Sequence, residues 1–226
     1  MRYGLIGEHL SHSYSPEIHR KIGDYPYELL ELRPEEVENF LRAGNFQAIN
    51  VTIPYKERVM PFLDEISDRA RQIGSVNTVV RRDGKLFGYN TDFAGMQAML
   101  RHTGLTLTGK KVMILGTGGT SKTARAVAAA EGASEITLVS RSGREGAVTY
   151  ETAIRENGKT QILINTTPCG MYPALEGFPI DPALFPALEG VQDVIYHPLR
   201  TDFAQMAQAR SRPADGGLYM LAAQAV

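Results

Sequence analysis

Cysteine is almost missing from this chain of 226 residues, occurring once, at Cys169. An internal disulfide framework is thereby excluded, and a reducing cytoplasm is the expected compartment. An excess of either charge is missing too. The 24 basic and 25 acidic side chains nearly cancel, to a formal −1, so neither nucleic acid nor an anionic membrane is an expected partner. No apolar run is long enough to span a bilayer. The apolar part of Met1-Arg2-Tyr3-Gly4-Leu5-Ile6-Gly7 is too short for a signal peptide and reads as a first strand. Internal repeats and low-complexity tracts are absent. What is present is a composition that is 43% hydrophobic, enough for one large core or two small ones.

Tyr3 to Ile6 is a β-type run closed by Gly7. The loop after it, Ser11-His12-Ser13-Tyr14-Ser15-Pro16, is crowded with hydroxyls. Pro16 suits a first helical position with Ser15 as N-cap. Capping accounts for Ser15 but leaves the Ser13 hydroxyl as a spare donor, and two hydroxyls beside a helix N-terminus can hold a carboxylate. A strand over 27–32, a helix from Pro34 stopped by Gly44, and a strand over 48–53 complete a β-α-β-α-β order. That order favours a parallel sheet with helices against it. Pro54 ends the third strand because it has no N–H for the ladder. The stretch Asn50-Val51-Thr52-Ile53-Pro54-Tyr55-Lys56 therefore delivers Thr52 and Lys56 to a strand's carboxyl end, where open α/β sheets place ligands. In isolation such a lysine is a solvated surface charge. A short helix over 68–73 precedes a hairpin, Ser75–Arg81 and Lys85–Tyr89, closed around Asp83-Gly84. Its first arm carries Asn77-Thr78 between apolar residues, and its second runs into Asn90-Thr91-Asp92. Thr91 or Asp92 can cap the helix over 92–102.

In the second half, Lys111–Leu115 is a strand, Gly116-Thr117-Gly118-Gly119-Thr120-Ser121 a glycine turn, and Lys122–Glu131 a helix. Strand, glycine turn and helix N-terminus form a dinucleotide-binding arrangement: the glycines admit a pyrophosphate and the helix dipole favours its charge. Ser121 stands where a third small residue is usual. The following strand, Glu135–Val139, ends in Ser140-Arg141-Ser142-Gly143-Arg144, with no acid before Glu145. An acid there accepts the ribose 2′-hydroxyl of NAD, whereas an arginine between hydroxyls suits the 2′-phosphate of NADP. Beyond it come a helix over 149–156, a strand over 161–165 leading to Thr166-Thr167-Pro168-Cys169-Gly170-Met171, and a proline-dotted loop over 173–186. A strand over 193–196, a helix over 201–209 and a last helix from Leu218 follow. Cys169 has no general base beside it in sequence and reads as a packed thiol.

Taken together, Ser13-x-Ser15-Pro16, the Asn50–Lys56 stretch, Asn77-Thr78 and Asn90-Thr91-Asp92 resemble shikimate dehydrogenases. Gly116–Ser121, Ser140-Arg141-Ser142, Asn165–Met171 and Gly217-Leu218-x-Met220-Leu221-x-x-Gln224 resemble later motifs of that family, in the same order. No single motif is diagnostic; their joint order is specific and covers nearly the whole chain. The resemblance implies an α/β protein in which an N-terminal substrate domain with a mostly parallel sheet, residues 1–92, joins a Rossmann-type NADP-binding domain, residues 93–217. A cleft between them, and a C-terminal helix starting at 218–226 that packs back toward the first, belong to the same expectation.

It further implies reversible, NADPH-dependent reduction of 3-dehydroshikimate to shikimate in aromatic amino acid biosynthesis, in the cytoplasm, by a monomer or homodimer without a metal. Lys56 and Asp92 match the family's catalytic pair. Ser13 and Ser15 match its carboxylate-binding serines, and Thr52, Asn77, Tyr196 and Gln224 other substrate-binding positions. Gly116, Gly118, Gly119, Thr120, Ser121, Ser140, Arg141, Ser142, Thr166, Met171 and Gly217 match cofactor-binding positions. A lysine close to the carbonyl oxygen can stabilise the developing alkoxide and take part in proton transfer; the sequence leaves open whether Lys56 or Asp92 transfers the proton. Three departures stand out: His9 where the family commonly has proline, a short segment between Arg141 and Ile162, and no further helix after Gln224. The competing expectations are a quinate/shikimate dehydrogenase using NAD(P), and a binding paralogue with impaired catalysis. Arg141 speaks against NAD, and a binding module has no need of both Lys56 and Asp92.

Overall fold

The computed structural model describes residues 2–11, 13–143, 146–156 and 158–225. Of the residues quoted above, Met1, His12, Arg144, Glu145 and Val226 lie outside the described residues, as does Asn157. The backbone divides into two compact units, the first ending at Asp92 and taking in Ala225, the second running from Phe93 to Gln224.

In the first unit the chain order is β1 (Tyr3–Gly7), α1 (Ser15–Ile22), β2 (Glu28–Glu31), α2 (Val37–Ala43), β3 (Ala48–Val51), β4 (Glu65–Ile66), α3 (Asp68–Ile73), β5 (Thr78–Arg82) and β6 (Lys85–Tyr89). The strands lie side by side as β2-β1-β3-β5-β6-β4. β1 runs parallel to β2 and β3, and β4 parallel to β6, while β5 is antiparallel to both its neighbours. Asp83 and Gly84 close the hairpin with φ of 51° and 80°, the left-handed pair a tight two-residue turn demands. Ile6, Ile49, Val51 and Val79 on the strands pack with Val37, Leu41, Tyr55 and Val76 in one core. Tyr55 is fully buried and its hydroxyl donates to the Leu32 carbonyl, which pins the start of the Tyr55–Lys56 turn to the sheet.

In the second unit α4 (Asp92–Thr103), whose first residue belongs to the first unit, leads to β7 (Lys111–Leu115), α5 (Gly119–Ala130), β8 (Glu135–Val139), α6 (Tyr150–Glu156), β9 (Ile162–Asn165), β10 (Gly190–Asp193), α7 (Asp202–Gln208), β11 (Ala214–Asp215) and α8 (Leu218–Ala223). All pairings in its sheet, ordered β11-β10-β9-β7-β8, are parallel. Strands buried on both faces explain the continuous apolar reading of Val112–Leu115 and Ile162–Ile164.

Several expectations need correction. The strand expected over 193–196 lies at Gly190–Asp193. Val194-Ile195-Tyr196 has β-type composition, but the Asp193 carboxylate accepts the Ile195 N–H at 3.1 Å and turns the chain out of the ladder. β3 stops at Val51: Thr52 N makes the last bond of the ladder, to Ile6 O at 3.0 Å, and Tyr55 N then closes a turn on Thr52 O at 2.9 Å. α5 begins at Gly119 rather than Lys122, so Gly118 is its N-cap and Gly119 opens its first turn. The two-residue strands β4 and β11 carry too little pattern to be legible. Among the described residues no helix is long and apolar enough to cross a membrane, and no cluster of side chains suits a metal ion.

Candidate active site

In the first unit, Lys56 Nζ donates to Asp92 Oδ2 at 2.6 Å, with side-chain exposures of 12% and 8%. It is the least exposed ion pair among the described residues, and two separate anchors hold its halves. The Lys56 carbonyl accepts Val76 N at 2.8 Å. Asp92 opens α4 directly after Thr91, whose N–H donates to Asn77 Oδ1 at 2.8 Å while Asn77 Nδ2 donates to Thr91 Oγ1 at 3.0 Å. The Asn77 backbone is fixed in turn between Tyr89 O at 3.0 Å and Val51 N at 2.8 Å. A parallel amide clasp, Asn90 Nδ2 to Ser75 O at 2.9 Å, ties the end of β6 to the approach to β5. The amides that look misplaced in an apolar strand are therefore the pieces that bring position 92 to position 56.

Thr52 is half-buried at the exit of β3. A Cβ added at Gly7 would stand 2.7 Å from the Thr52 methyl, so the glycine closing β1 makes room for that threonine. Ser13 and Ser15 sit at the start of α1, with one correction. Ser15 is the first helical residue and not the cap, and it is 6% exposed. Ser13 Oγ accepts Ser15 N at 3.2 Å, which engages its oxygen and not its O–H donor.

Beneath them lies a layer the sequence did not reveal. His19 stacks on Tyr27 at 3.8 Å and meets the Tyr25 hydroxyl through Nδ1 at 2.7 Å. The Tyr27 hydroxyl donates to Asn50 Oδ1 at 2.7 Å, and Asn50 Nδ2 donates to Thr78 Oγ1 at 3.2 Å. Burial pushes the Tyr27 phenol well above its ordinary value and the His19 imidazole below its own. Both stay neutral near pH 7, so the layer joins α1 to β3 without a charge. Asn50 thus serves this link.

In the second unit the glycine turn lies between β7 and α5. Gly116 has φ of +111°, and a Cβ there would stand 2.7 Å from Thr166 Oγ1. Gly118, the N-cap of α5, would meet nothing within 4 Å, and no side chain caps the helix. Open space in front of uncapped N–H groups is what a pyrophosphate requires. Thr120 lies half-buried and Ser121 buried in the first turn of α5. A hollow of about 200 Å³ beside it is lined by Thr117, Ser121, Lys122, Arg125 and Leu138. At the end of β8, Arg141 and Ser142 are exposed, while Ser140 Oγ accepts Gly143 N at 3.1 Å and shapes the turn. Without an acid at this strand end, the residues present fit NADP. A larger hollow of about 420 Å³, lined by His102, Gln208, Arg212 and Asp215 among others, contains none of the residues singled out from the sequence.

The remaining positions sit on loops of the same unit. Thr166 Oγ1 donates to Leu115 O at 2.6 Å, binding the post-β9 loop to β7, and Met171 closes a turn on Pro168 O at 3.0 Å. Tyr196 is half-buried after β10. Gly217 is buried, its N–H donating to Ile195 O at 2.8 Å, and a Cβ there would stand 2.0 Å from Val194 O. Gln224 follows α8, with Nε2 donating to Leu221 O at 3.1 Å. Burial, with the Asp193 charge second, pushes the Cys169 thiol up, as befits an inert group.

Residues 5–79 match the family model described as the shikimate dehydrogenase substrate binding domain. The shikimate dehydrogenase (NADP(+)) of Clostridium beijerinckii is 36% identical over 99% of this chain and 88% of its own length. That of Halothermothrix orenii is 37% identical over 98% and 87% respectively. Among solved structures, shikimate dehydrogenase 1 from Peptoclostridium difficile superposes with a TM-score of 0.91 at 34% identity, covering 100% of this chain and 89% of that one. The Thermus thermophilus enzyme in complex with NADP(H) and shikimate gives 0.85 at 29% identity, covering 99% and 90%.

Proposed function

Because the chain belongs to the shikimate dehydrogenase family, we propose that Lys56 and Asp92 carry its chemistry and that the surrounding groups hold its substrate. The activity is the reversible, NADP-dependent interconversion of 3-dehydroshikimate and shikimate, an oxidoreduction at a CH–OH group in aromatic amino acid biosynthesis. Its place is the cytoplasm.

The observation that supports the assignment of roles is the 2.6 Å ion pair, sheltered at 12% and 8% exposure yet built at a strand's carboxyl end. NADPH, when bound, supplies the hydride that reaches the carbonyl carbon. Lys56, as an ammonium, donates toward the carbonyl oxygen and stabilises the charge that develops there. The proton that completes the hydroxyl comes from the Lys56–Asp92 pair, and Asp92 keeps the lysine aimed. Ser13 and Ser15 take the substrate carboxylate with the N-terminus of α1 behind them. Thr52 and Asn77 face the ring hydroxyls, and Tyr196 and Gln224 keep the substrate-binding roles that the family pattern gives them. Gly116, Gly118, Gly119, Thr120 and Ser121 hold the pyrophosphate, and Ser140, Arg141 and Ser142 the 2′-phosphate. Thr166, Met171 and Gly217 complete the cofactor's surroundings.

Initial rates with shikimate and with quinate, each against NADP and NAD, test the reading. Shikimate with NADP should give the largest kcat/KM. A larger value for quinate with NAD would overturn it.

A further inference from the structure

Asp193 takes no part in the chemistry just assigned, yet it has no solvent exposure at all. Among the described residues its carboxylate is held only by neutral donors. Oδ1 accepts Asn165 Nδ2 at 3.0 Å and Ile195 N at 3.1 Å, and Oδ2 accepts Thr201 Oγ1 at 2.7 Å. Burial pushes its pKa up to about 6, against the pull of those three donors. Such a group costs stability that an apolar residue of similar volume would not. Packing alone therefore does not explain its presence.

The three donors belong to three different pieces of chain at the carboxyl edge of the sheet. Asn165 ends β9, Ile195 lies in the loop after β10, and Thr201 caps α7 by accepting Ala204 N at 3.2 Å. With Nδ2 fixed on Asp193, the Asn165 amide is oriented. Its Oδ1 then accepts both Thr167 N at 2.9 Å and Thr167 Oγ1 at 2.7 Å. Thr167 Oγ1 accepts Cys169 N at 3.3 Å in turn. This relay ends against the glycine turn, since a Cβ at Gly116 would lie 2.7 Å from Thr166 Oγ1 and 3.3 Å from the Thr167 methyl. A direct bond, Tyr172 N to His197 O at 3.0 Å, joins the same two loops farther out.

We infer that Asp193 is a positioning residue for cofactor use: through Asn165 and Thr167 its carboxylate sets the conformation of the loop flanking the glycine turn. The inference rests on the assignment of that turn to NADP. Asp193→Leu keeps the volume and removes every acceptor, freeing the Asn165 amide to turn over. Thr167→Val removes the hydroxyl that donates to Asn165 Oδ1 and accepts Cys169 N, weakening the relay at its half-buried far end while the backbone N–H bond to Asn165 Oδ1 and the sheet stay intact. Asp193→Asn can keep an oxygen at the Oδ1 position and turn its NH₂ to Thr201 Oγ1, so it should rescue.

The experiment compares these three variants with the parent by NADP and shikimate kinetics, calorimetric shikimate affinity, and amide exchange of the ligand-free proteins. KM for NADP should rise about tenfold or more for Asp193→Leu, the equivalent of one charge-assisted hydrogen bond, and about three- to tenfold for Thr167→Val, the equivalent of one neutral hydrogen bond. Shikimate affinity should stay put, amides over 166–171 should exchange faster, and Asp193→Asn should stay close to the parent. If Asp193→Leu does not fold, Thr167→Val decides. Unchanged NADP KM and unchanged exchange over 166–171 in Thr167→Val would overturn the inference, as would equal losses for both ligands. A parent inactive with shikimate and NADP would instead sink the functional reading, and amide exchange would still test the relay.

Discussion

Breaking the Lys56–Asp92 pair from either side should have unequal effects on stability and equal effects on rate. At 2.6 Å the gross attraction of two unit charges is about 6 kcal/mol for an effective dielectric near 20. Desolvation of two nearly buried groups offsets much of that, so the pair's net worth is small. Removing one partner is another matter, because a buried charge is left behind, typically costing about 3–5 kcal/mol. Lys56→Met strands a carboxylate that is 8% exposed, relieved only by the N-terminus of α4, worth about 0.3–1 kcal/mol. A loss of about 3 kcal/mol follows, which lowers Tm by about 6–12 °C in a chain of this size. Asp92→Asn removes the negative charge beside an ammonium whose flexible stem lets it swing toward water, so its loss should be about 1 kcal/mol.

The double variant removes both charges and should be more stable than Lys56→Met alone. Turnover should not follow that recovery. Each single variant should lose about 10²–10⁴-fold in kcat, the usual weight of a positioned acid–base group, with a smaller change in shikimate affinity, and the double variant should be no faster. Melting curves and steady-state rates on the four proteins decide the matter. A Lys56→Met enzyme within tenfold of the parent's kcat would remove the lysine from the mechanism. A double variant no more stable than Lys56→Met would refute the stranded-charge argument.

Arg141→Ala should raise KM for NADP about 10–100-fold, the loss of a charge-assisted contact to phosphate, and leave NAD nearly unaffected; an equal loss for both would make Arg141 structural. Gly217→Ala should destabilise by about 1–3 kcal/mol, read as a fall in Tm, because its Cβ would stand 2.0 Å from the Val194 carbonyl oxygen; an unchanged Tm would contradict that packing. Asp193 keeps its proton up to about pH 6 when folded, against an ordinary 3.8, so between those values the folded state binds more protons than the unfolded one. Stability should therefore fall as pH rises from about 4 to about 6, by up to about 3 kcal/mol. Asp193→Asn should lack that component, and identical stability–pH profiles for parent and variant would exclude it.

Most of the fold was legible because its signals are local. The Asp83-Gly84 hairpin, the strands Lys111–Leu115 and Glu135–Val139, and the helix stops at Gly44 and Gly74 each follow from a few neighbouring residues. Errors arose where a side-chain bond to a backbone N–H two residues away, invisible in composition, overrode local preference. Val194-Ile195-Tyr196 reads as a strand by composition, but the Asp193 carboxylate takes the Ile195 N–H. Ser15-Pro16 reads as cap and first helical residue, but Tyr14 holds the cap position and Ser13 receives the Ser15 N–H.

The same distinction divides the candidate site. Lys56, Asp92, Ser13 and the glycine turn are visible because chemistry restricts their residue types and their order along the chain. The groups that aim them are not, since a tyrosine such as Tyr27 or an aspartate such as Asp193 is unremarkable until its partner is known. Asn77 lies on both sides of that division. Its place in an apolar arm singled it out, yet in the structure its amide is engaged with Thr91, 14 residues on. An amide so engaged is already oriented before any ligand arrives, which lowers the ordering it has to undergo on binding. Asn77 can therefore fix Asp92 against Lys56 and still offer substrate a rigid edge. Thr91→Val would separate the two duties. It removes the hydroxyl that receives Asn77 Nδ2 but keeps the Thr91 N–H on Asn77 Oδ1, so it should weaken shikimate binding more than it lowers kcat.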